Sequence, residues 1–311
     1  MFTAVERDQL RTFGSVTELP DDRPCVGYLT LDEFEASCER LGFPAFCLEE
    51  CHSGQNRFHT RLEVYDTFSY GILPLLDIQK IRNPRRKIAL FFAKNRFVLV
   101  NIDDTENRSR QIWQQILEHL GAKLTIERVV SQLLLHLIQG SNDILEECEQ
   151  HILEMERSLL DNRIDPAVNR TIFGLKNGLT VRKEYYGELI DMGEALMDDE
   201  NDLFSHETFR HLKVFTNRAQ RLSDNAALLM ENLVHVREAY QSAMDYRLNN
   251  TMKIFTVVTT IFLPLSLIVG WYGMNFALPE FTWRYGYVLA VGLCVAVVAF
   301  CLWFFRKKKL F

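Results

Sequence analysis

Between residues 205 and 263 the chain has neither glycine nor proline, and Pro264 is the first helix-breaking residue after Ser205. Nothing there would stop a helix, so one rod of about 60 residues, roughly 90 Å long, is predicted to begin near Ser205 and run past Pro264. A Gly-x-x-x-x-Gly-Lys run is missing, which removes the loop that would couple nucleotide hydrolysis to work. No Ser/His/Asp or zinc-hydrolase spacing stands out, and His136, His151 and His235 stand alone, so an enzyme is not expected. The seven cysteines, at 25, 38, 47, 51, 148, 294 and 301, are odd in number and read as reduced thiols rather than a disulfide framework. Cys47, Cys51 and His52 invite a zinc reading, but no second ligand pair follows at a suitable spacing, and packing is the expected role. Met1 to Leu10 include Glu6, Arg7 and Asp8 and no apolar core, so no cleavable signal is expected.

Acidic residues are scarce at one end. From Thr251 onward Glu280 stands against Lys253, Arg284, Arg306, Lys307, Lys308 and Lys309, a net +5, so a chain of net −6 carries −11 before that point. Such a body suits cations and argues against nucleic acid.

What is present in that basic end is apolar length. Ile254–Tyr272 and Gly286–Phe305 each approach the roughly 20 residues that cross a hydrocarbon core of ~30 Å. Arg247 and Lys253 flank the first segment and Arg306 to Lys309 follow the second, whereas the link between them holds only Glu280 and Arg284. The positive-inside rule then places both ends in the cytoplasm, with a hairpin through the cell (plasma or inner) membrane. Trp271, Tyr272, Trp283, Tyr285 and Tyr287 gather at the outer turn, where amphipathic rings settle among headgroups.

The first part, 1–105, alternates strand and helix signals and is expected to be an α/β domain. Thr30-Leu31-Asp32-Glu33 is a capping box that should start a helix lasting to Gly42. Thr67–Leu76, Lys87–Ala93 and Phe97–Ile102 are rich in β-branched and aromatic residues, with Lys94-Asn95 as a tight turn. Long helical periodicity follows over 106–204, first to Gly121, then Thr125 to about Leu160, then Pro166 to about Met197, closed by an acidic loop at 198–202. The remaining segments are a stalk helix at 205–253, a first span at 254–272, an outer loop at 273–285, a second span at 286–305 and a basic tail at 306–311.

Steps of four and three down the long helix from Glu231 meet His235, Glu238, Ser242, Asp245, Asn249, Met252, Thr256, Thr259, Leu263, Ser266, Gly270 and Gly273. Nearly all are polar or small, and they form one helical face inside a span otherwise made of residues such as Ile254, Phe255, Val257, Val258, Ile261 and Phe262. Hydroxyls in a span bond back to their own helix, join it to another, or face water. The continuity of the stripe from Asp245 and Asn249 up to Gly270, Gly273 and Asn275 favours water. One hairpin cannot enclose a pore, so a parallel homo-oligomer with cyclic symmetry is expected. Met252 and Leu263 are apolar on this face and would make constrictions that gate by dewetting.

The run Tyr272-Gly273-Met274-Asn275-Phe276, followed by Leu278-Pro279-Glu280-Phe281, two C-terminal spans and a basic tail, resembles the CorA family of magnesium channels. The resemblance implies a funnel-like homopentamer with a cytosolic α/β domain, a stalk helix continuous with the pore-lining first span, and a second span outside it. It also implies passive entry of Mg²⁺, with Co²⁺ and Ni²⁺ often carried too, and no cofactor beyond Mg²⁺ as cargo and regulator. Gly273, Met274 and Asn275 would form the outer selectivity ring, with hydrated Mg²⁺ at Asn275, and Glu280 would stand in an acidic outer loop. Leu278 and Phe281 are conservative departures from the usual Met-Pro-Glu-Leu loop. Mg²⁺ sheds water reluctantly, so acceptors such as Asn275, Ser266, Thr259, Thr256 and Asn249 suit it better than a carboxylate cage.

Asp224, Glu231, Glu238 and Asp245 recur every seven residues. In parallel packing each would meet its own copies and repel them unless cations intervene. Cytosolic Mg²⁺ held there is one expectation, a solvated outer face the other. The family's sensor pairs stalk and α/β-domain acids, whereas this chain has Lys213, Val214 and Phe215 where a stalk aspartate would be expected. A zinc transporter of the same superfamily and a non-conducting membrane-tethered scaffold are the rival readings; Met274 favours magnesium, and an anchor would not need the stripe.

Overall fold

The computed structural model describes residues 2–6, 9–14, 19, 23–52, 61–81, 86–161, 167–198, 204–274 and 285–307. The chain divides into two compact units, 1–157 with 166–236, and 158–165 with 237–311.

The first unit is built on a seven-stranded sheet of β1 (Phe2–Glu6), β2 (Gln9–Phe13), β3 (Cys25–Thr30), β4 (Arg61–Val64), β5 (Phe68–Leu75), β6 (Arg86–Ala93) and β7 (Arg96–Asn101), in the order β2-β1-β3-β7-β6-β5-β4. The three strands expected from composition are β5, β6 and β7, and Lys94-Asn95 turns the last pair, with Ala93 opposite Arg96. Only β3 and β7 run parallel, Val26 opposite Phe97. The helices α1 (Leu31–Glu35), α2 (Cys38–Leu41) and α3 (Phe46–His52) carry the chain away from β3 before β4 to β7 meander back to it.

Alternation along β6 sends Phe91 and Phe92 to opposite faces of the sheet. The Phe91 ring lies tilted 4.4 Å from Phe34 of α1 and 5.0 Å from Phe43, while Phe92 meets Phe97 at 5.0 Å, itself 6.1 Å from Trp113 of α4 (Arg108–Leu120). Helices thus cover both faces, the packing an α/β sheet requires.

Two helical expectations need correction. The capping box at Thr30 forms as predicted, with Thr30 N–H donating to Glu33 Oε2 at 2.9 Å. The helix it starts does not reach Gly42 unbroken. Ser37 N–H bonds to Phe34 O at 3.0 Å, the tighter i→i+3 pattern, and separates α1 from α2; Gly42 then closes α2 at φ 86°. The stretch from Thr125 to Leu160 is also two helices, α5 (Ile126–Leu137) and α6 (Ser141–Leu160). Gly140 between them sits at φ 75°, a left-handed conformation that no continuous helix admits.

α7 (Val168–Asp198) buries Tyr185, Tyr186 and Leu189, and its expected start at Pro166 lies outside the described residues, as does nearly all of the acidic loop at 198–202. α8 (His206–Tyr272) is one helix of 67 residues with Pro264 inside it, about 100 Å of backbone. In the second unit α9 (Gly286–Lys307) packs on α8 through Val257, Ile261, Val297, Cys301 and Phe305. Only 6% and 11% of the most apolar windows of α8 and α9 are buried. A soluble protein's core helix of this composition would be covered, so the two helices are membrane spans.

Candidate functional site

Burial divides the first span into two faces. Val257 is buried and Ile261, Pro264, Leu265, Ile268 and Tyr272 are half-buried, whereas Met252, Thr256, Thr259, Leu263, Ser266, Gly270 and Gly273 are all exposed. At 100° per residue the centre of the exposed stripe is rotated roughly 180° from the packed face. The second span therefore covers the strip of α8 that bears Val257 and Ile261 and leaves the polar stripe exposed, together with apolar residues such as Phe255, Phe262 and Leu267. Leu263, at 67% exposure, and Met252, at 57%, lie on the open side, an apolar cost that a single chain in water would not support.

The threonine hydroxyls are turned into their own helix. Thr256 Oγ1 donates to Met252 O at 2.8 Å, Thr259 Oγ1 to Phe255 O at 2.6 Å and Thr260 Oγ1 to Thr256 O at 2.7 Å. This is the back-bonding alternative seen from sequence, yet it does not consume the oxygens. Each hydroxyl has spent its one proton and keeps lone pairs, so it meets a ligand only as an acceptor. Water bound to a cation presents hydrogens outward, and acceptors of this kind match it.

At its C-terminal end the helix finishes at Tyr272, and the next N–H, that of Gly273, bonds to Val269 O at 2.9 Å. A Cβ at this position would come to 3.0 Å from that same oxygen, so glycine permits the turn that leads into Met274. Asn275 and Glu280, and with them the expected seat of hydrated Mg²⁺, lie outside the described residues.

Farther down α8, Asn249, Asp245, Glu238, Glu231 and Asp224 are exposed, and Asp224 Oδ1 accepts from Gln220 Nε2 at 2.9 Å. The four acids are seven residues apart, about 10.5 Å along the axis, too far for one ion to bridge within a chain. Among the described residues no three His, Cys, Asp or Glu side chains converge on a metal-sized site.

Cys47 and Cys51 are buried in the aromatic core beneath the sheet. Burial is the main cause that pushes each thiol from 9.0 up to about 12, with Cys38 and Glu50 adding to it. Burial thus holds both thiols in the protonated form at neutral pH, and His52 Nδ1 bonds to Leu48 O at 2.9 Å.

One contributor to the hairpin was not anticipated. Cys301 Sγ on α9 donates to Thr260 O at 3.9 Å. The signal was present in Pro264, which leaves the Thr260 carbonyl without its helical donor, but the pairing of Cys301 with it depends on how α9 lies on α8.

The family model described as CorA-like Mg²⁺ transporter protein matches residues 26–307. A cobalt/magnesium transport protein CorA of Thermotoga maritima is 27% identical over 167 residues, 53% of this chain and 47% of that protein, so the match spans about half of its length. A putative metal ion transporter of Bacillus subtilis is 23% identical over 272 residues, 85% of this chain and 82% of that one. Among solved structures, the complete CorA magnesium transporter of Methanocaldococcus jannaschii superposes with a TM-score of 0.79 at 20% identity, over 98% of this chain and 96% of the other; at that identity the likeness concerns the fold.

Proposed function

The chain belongs to the CorA-like Mg²⁺ transporter family, and from that membership we propose that it conducts Mg²⁺, and with it Co²⁺ and Ni²⁺, into the cell down the electrochemical gradient. The working unit is a homopentamer in the cell membrane with both termini in the cytoplasm. Five copies of α8 turn Thr256, Thr259, Ser266 and Gly270 toward a common axis, and Gly273, Met274 and Asn275 form the ring through which the hydrated ion enters. Glu280 concentrates cations at the mouth. Met252 and Leu263 form the apolar constrictions, and Asn249, Asp245 and Glu238 line the inner end.

The single observation that carries this reading is the placement of α9. It packs on the face bearing Val257 and Ile261 and leaves the hydroxyl-bearing face uncovered. A non-conducting anchor gains nothing from such a stripe, since exposed hydroxyls do not favour lipid. A potential of 100 mV contributes ~2.3 kcal/mol per charge, so about 4.6 kcal/mol draws a divalent ion inward with no nucleotide required.

Cytosolic Mg²⁺ held between copies of Asp224, Glu231, Glu238 and Asp245 favours the closed state, and its loss lets the subunits separate. Repulsion between like carboxylates in neighbouring copies supplies the opening force.

Ion flux into proteoliposomes, comparing Mg²⁺, Co²⁺, Ni²⁺ and Zn²⁺ with and without a pH gradient, tests the whole reading. Potential-driven Mg²⁺ entry that ignores the pH gradient is expected. Entry of Zn²⁺ alone, tied to protons, would assign the chain to the zinc branch, and no flux at all would leave it a scaffold.

A further inference from the structure

The unit of residues 1–157 and 166–236 contains a cleft of about 940 Å³ that the ion path does not use. Four helices contribute to it: His119 from α4, His136 from α5, Asn142 from α6, and Arg218, Arg221 and Asn225 from α8. None of its thirteen lining residues is Asp or Glu, although acids outnumber Lys and Arg by 41 to 35 in the chain. The cleft is thus a basic island in an acidic body.

Arg218, Arg221 and Asn225 fall within about 60° of one another around α8. The adjacent acid, Asp224, is rotated roughly 90° from their midline and is held by Gln220. Among the described residues neither Arg218 nor Arg221 has a hydrogen-bond or ion-pair partner. His136 Nδ1 lies 2.8 Å from Gln132 O; a carbonyl only accepts, so Nδ1 carries the proton and Nε2 is the nitrogen left for a ligand.

We infer that this cleft binds a small anion bearing two or more linked phosphoryl groups. Two guanidinium forks one helical turn apart, with Cβ atoms about 5–6 Å from each other, offer paired planar donors to adjacent phosphoryl oxygens. The amide of Asn225 and the imidazole of His119 serve the remaining oxygens, and His136 Nε2 does so only when its ring is doubly protonated. The volume lies within the roughly 300–1,000 Å³ of small-ligand pockets, large enough for a nucleotide and larger than orthophosphate needs. A divalent cation finds no carboxylate here. The ligand is bound through side chains and left intact, since the Gly-rich loop for phosphate chemistry is absent from the sequence.

Calorimetric titration of the full-length protein in detergent with EDTA, using inorganic pyrophosphate and separately ATP, tests this without any measurement of transport. Saturable binding is expected, with orthophosphate weaker by about tenfold or more and the R218Q/R221Q variant weakened by at least about tenfold, as the loss of charge-assisted hydrogen bonds requires. R221K should retain part of the affinity. If R218Q/R221Q does not fold, H119Q, on another helix, should weaken pyrophosphate binding about threefold. Absence of binding to the unaltered protein, or unchanged binding by the variants, overturns the inference. If pyrophosphate does not bind and R218Q/R221Q instead alters the oligomer mass in native mass spectrometry, the cleft is a contact between copies of the chain and the inference fails.

Discussion

Cys301 Sγ on the second span lies 3.9 Å from the carbonyl oxygen of Thr260 on the first and donates to it. In an unbroken helix that oxygen would accept from residue 264, but Pro264 has no N–H to give. In lipid no water replaces it, so a thiol from the neighbouring helix takes the place. Replacing Cys301 by Ala should cost the hairpin about 1 kcal/mol, the scale of interhelical hydrogen bonds in membranes. In a Pro264→Ala background, where Thr260 regains its own donor, the same change should cost less, the remainder being the lost packing of the thiol against α8. A double-mutant cycle on reversible unfolding in detergent measures the difference, and equal costs in both backgrounds would refute the pairing.

The stripe makes a prediction that does not depend on knowing the ion. Cysteines placed at Thr256, Thr259 and Ser266 should react with membrane-impermeant thiol reagents, while one at Ile261, on the packed face, should not. Labelling is read against the native protein, whose Cys294 and Cys301 lie in α9. Protection of all three stripe positions in every ionic condition would mean that this face meets protein or lipid.

Asn275→Ala should abolish Mg²⁺ entry into proteoliposomes without lowering the unfolding temperature. Thr259→Val, which keeps the shape and removes the acceptor oxygen, should reduce flux several-fold while leaving the fold intact. Full flux in Asn275→Ala would remove Asn275 from the selectivity ring.

The row of acids is tested by current in excised patches against cytosolic Mg²⁺. With Asp224, Glu231, Glu238 and Asp245 changed to Asn or Gln, inhibition should require about tenfold more Mg²⁺ or disappear, because the carboxylates proposed to hold the ion are gone. Unchanged inhibition would leave the row as a solvated face.

Cys47 and Cys51 predict how the protein responds to alkali. Their folded pKa values, pushed to about 12 mainly by burial, lie above the 9.0 of an exposed thiol. The stability they protect is complete below pH 9.0 and is lost as the pH rises from there toward 12, where the unfolded thiols ionise and the folded ones do not. Denaturant midpoints should therefore fall across that window and recover part of the loss in Cys47→Ala. Iodoacetamide at pH 8.5 should modify both only after unfolding.

Much of this was legible because it depends on period and local chemistry. The capping box at Thr30, the turn at Lys94-Asn95 and the uninterrupted run from His206 to Tyr272 each rest on residues within a few positions of one another. The polar stripe is likewise a property of helical spacing. Gly140 was as visible as any of these, and the division of α5 from α6 was missed because apolar periodicity on both sides outweighed one glycine.

Other features arise only when distant residues meet. The parallel pairing of Cys25–Thr30 with Arg96–Asn101 joins segments about 70 residues apart, and no local propensity encodes which strand edge a chain will return to. The choice of Val257 and Ile261 as the face covered by α9, and the gathering of Arg218 and Arg221 with His119 and His136, were likewise decided by tertiary structure. The sequence alone determined that the chain has two apolar spans and a polar helical face, since length and spacing suffice for those. Which face of the first span the second one covers was settled by packing, because only contact between helices removes one side from the surroundings.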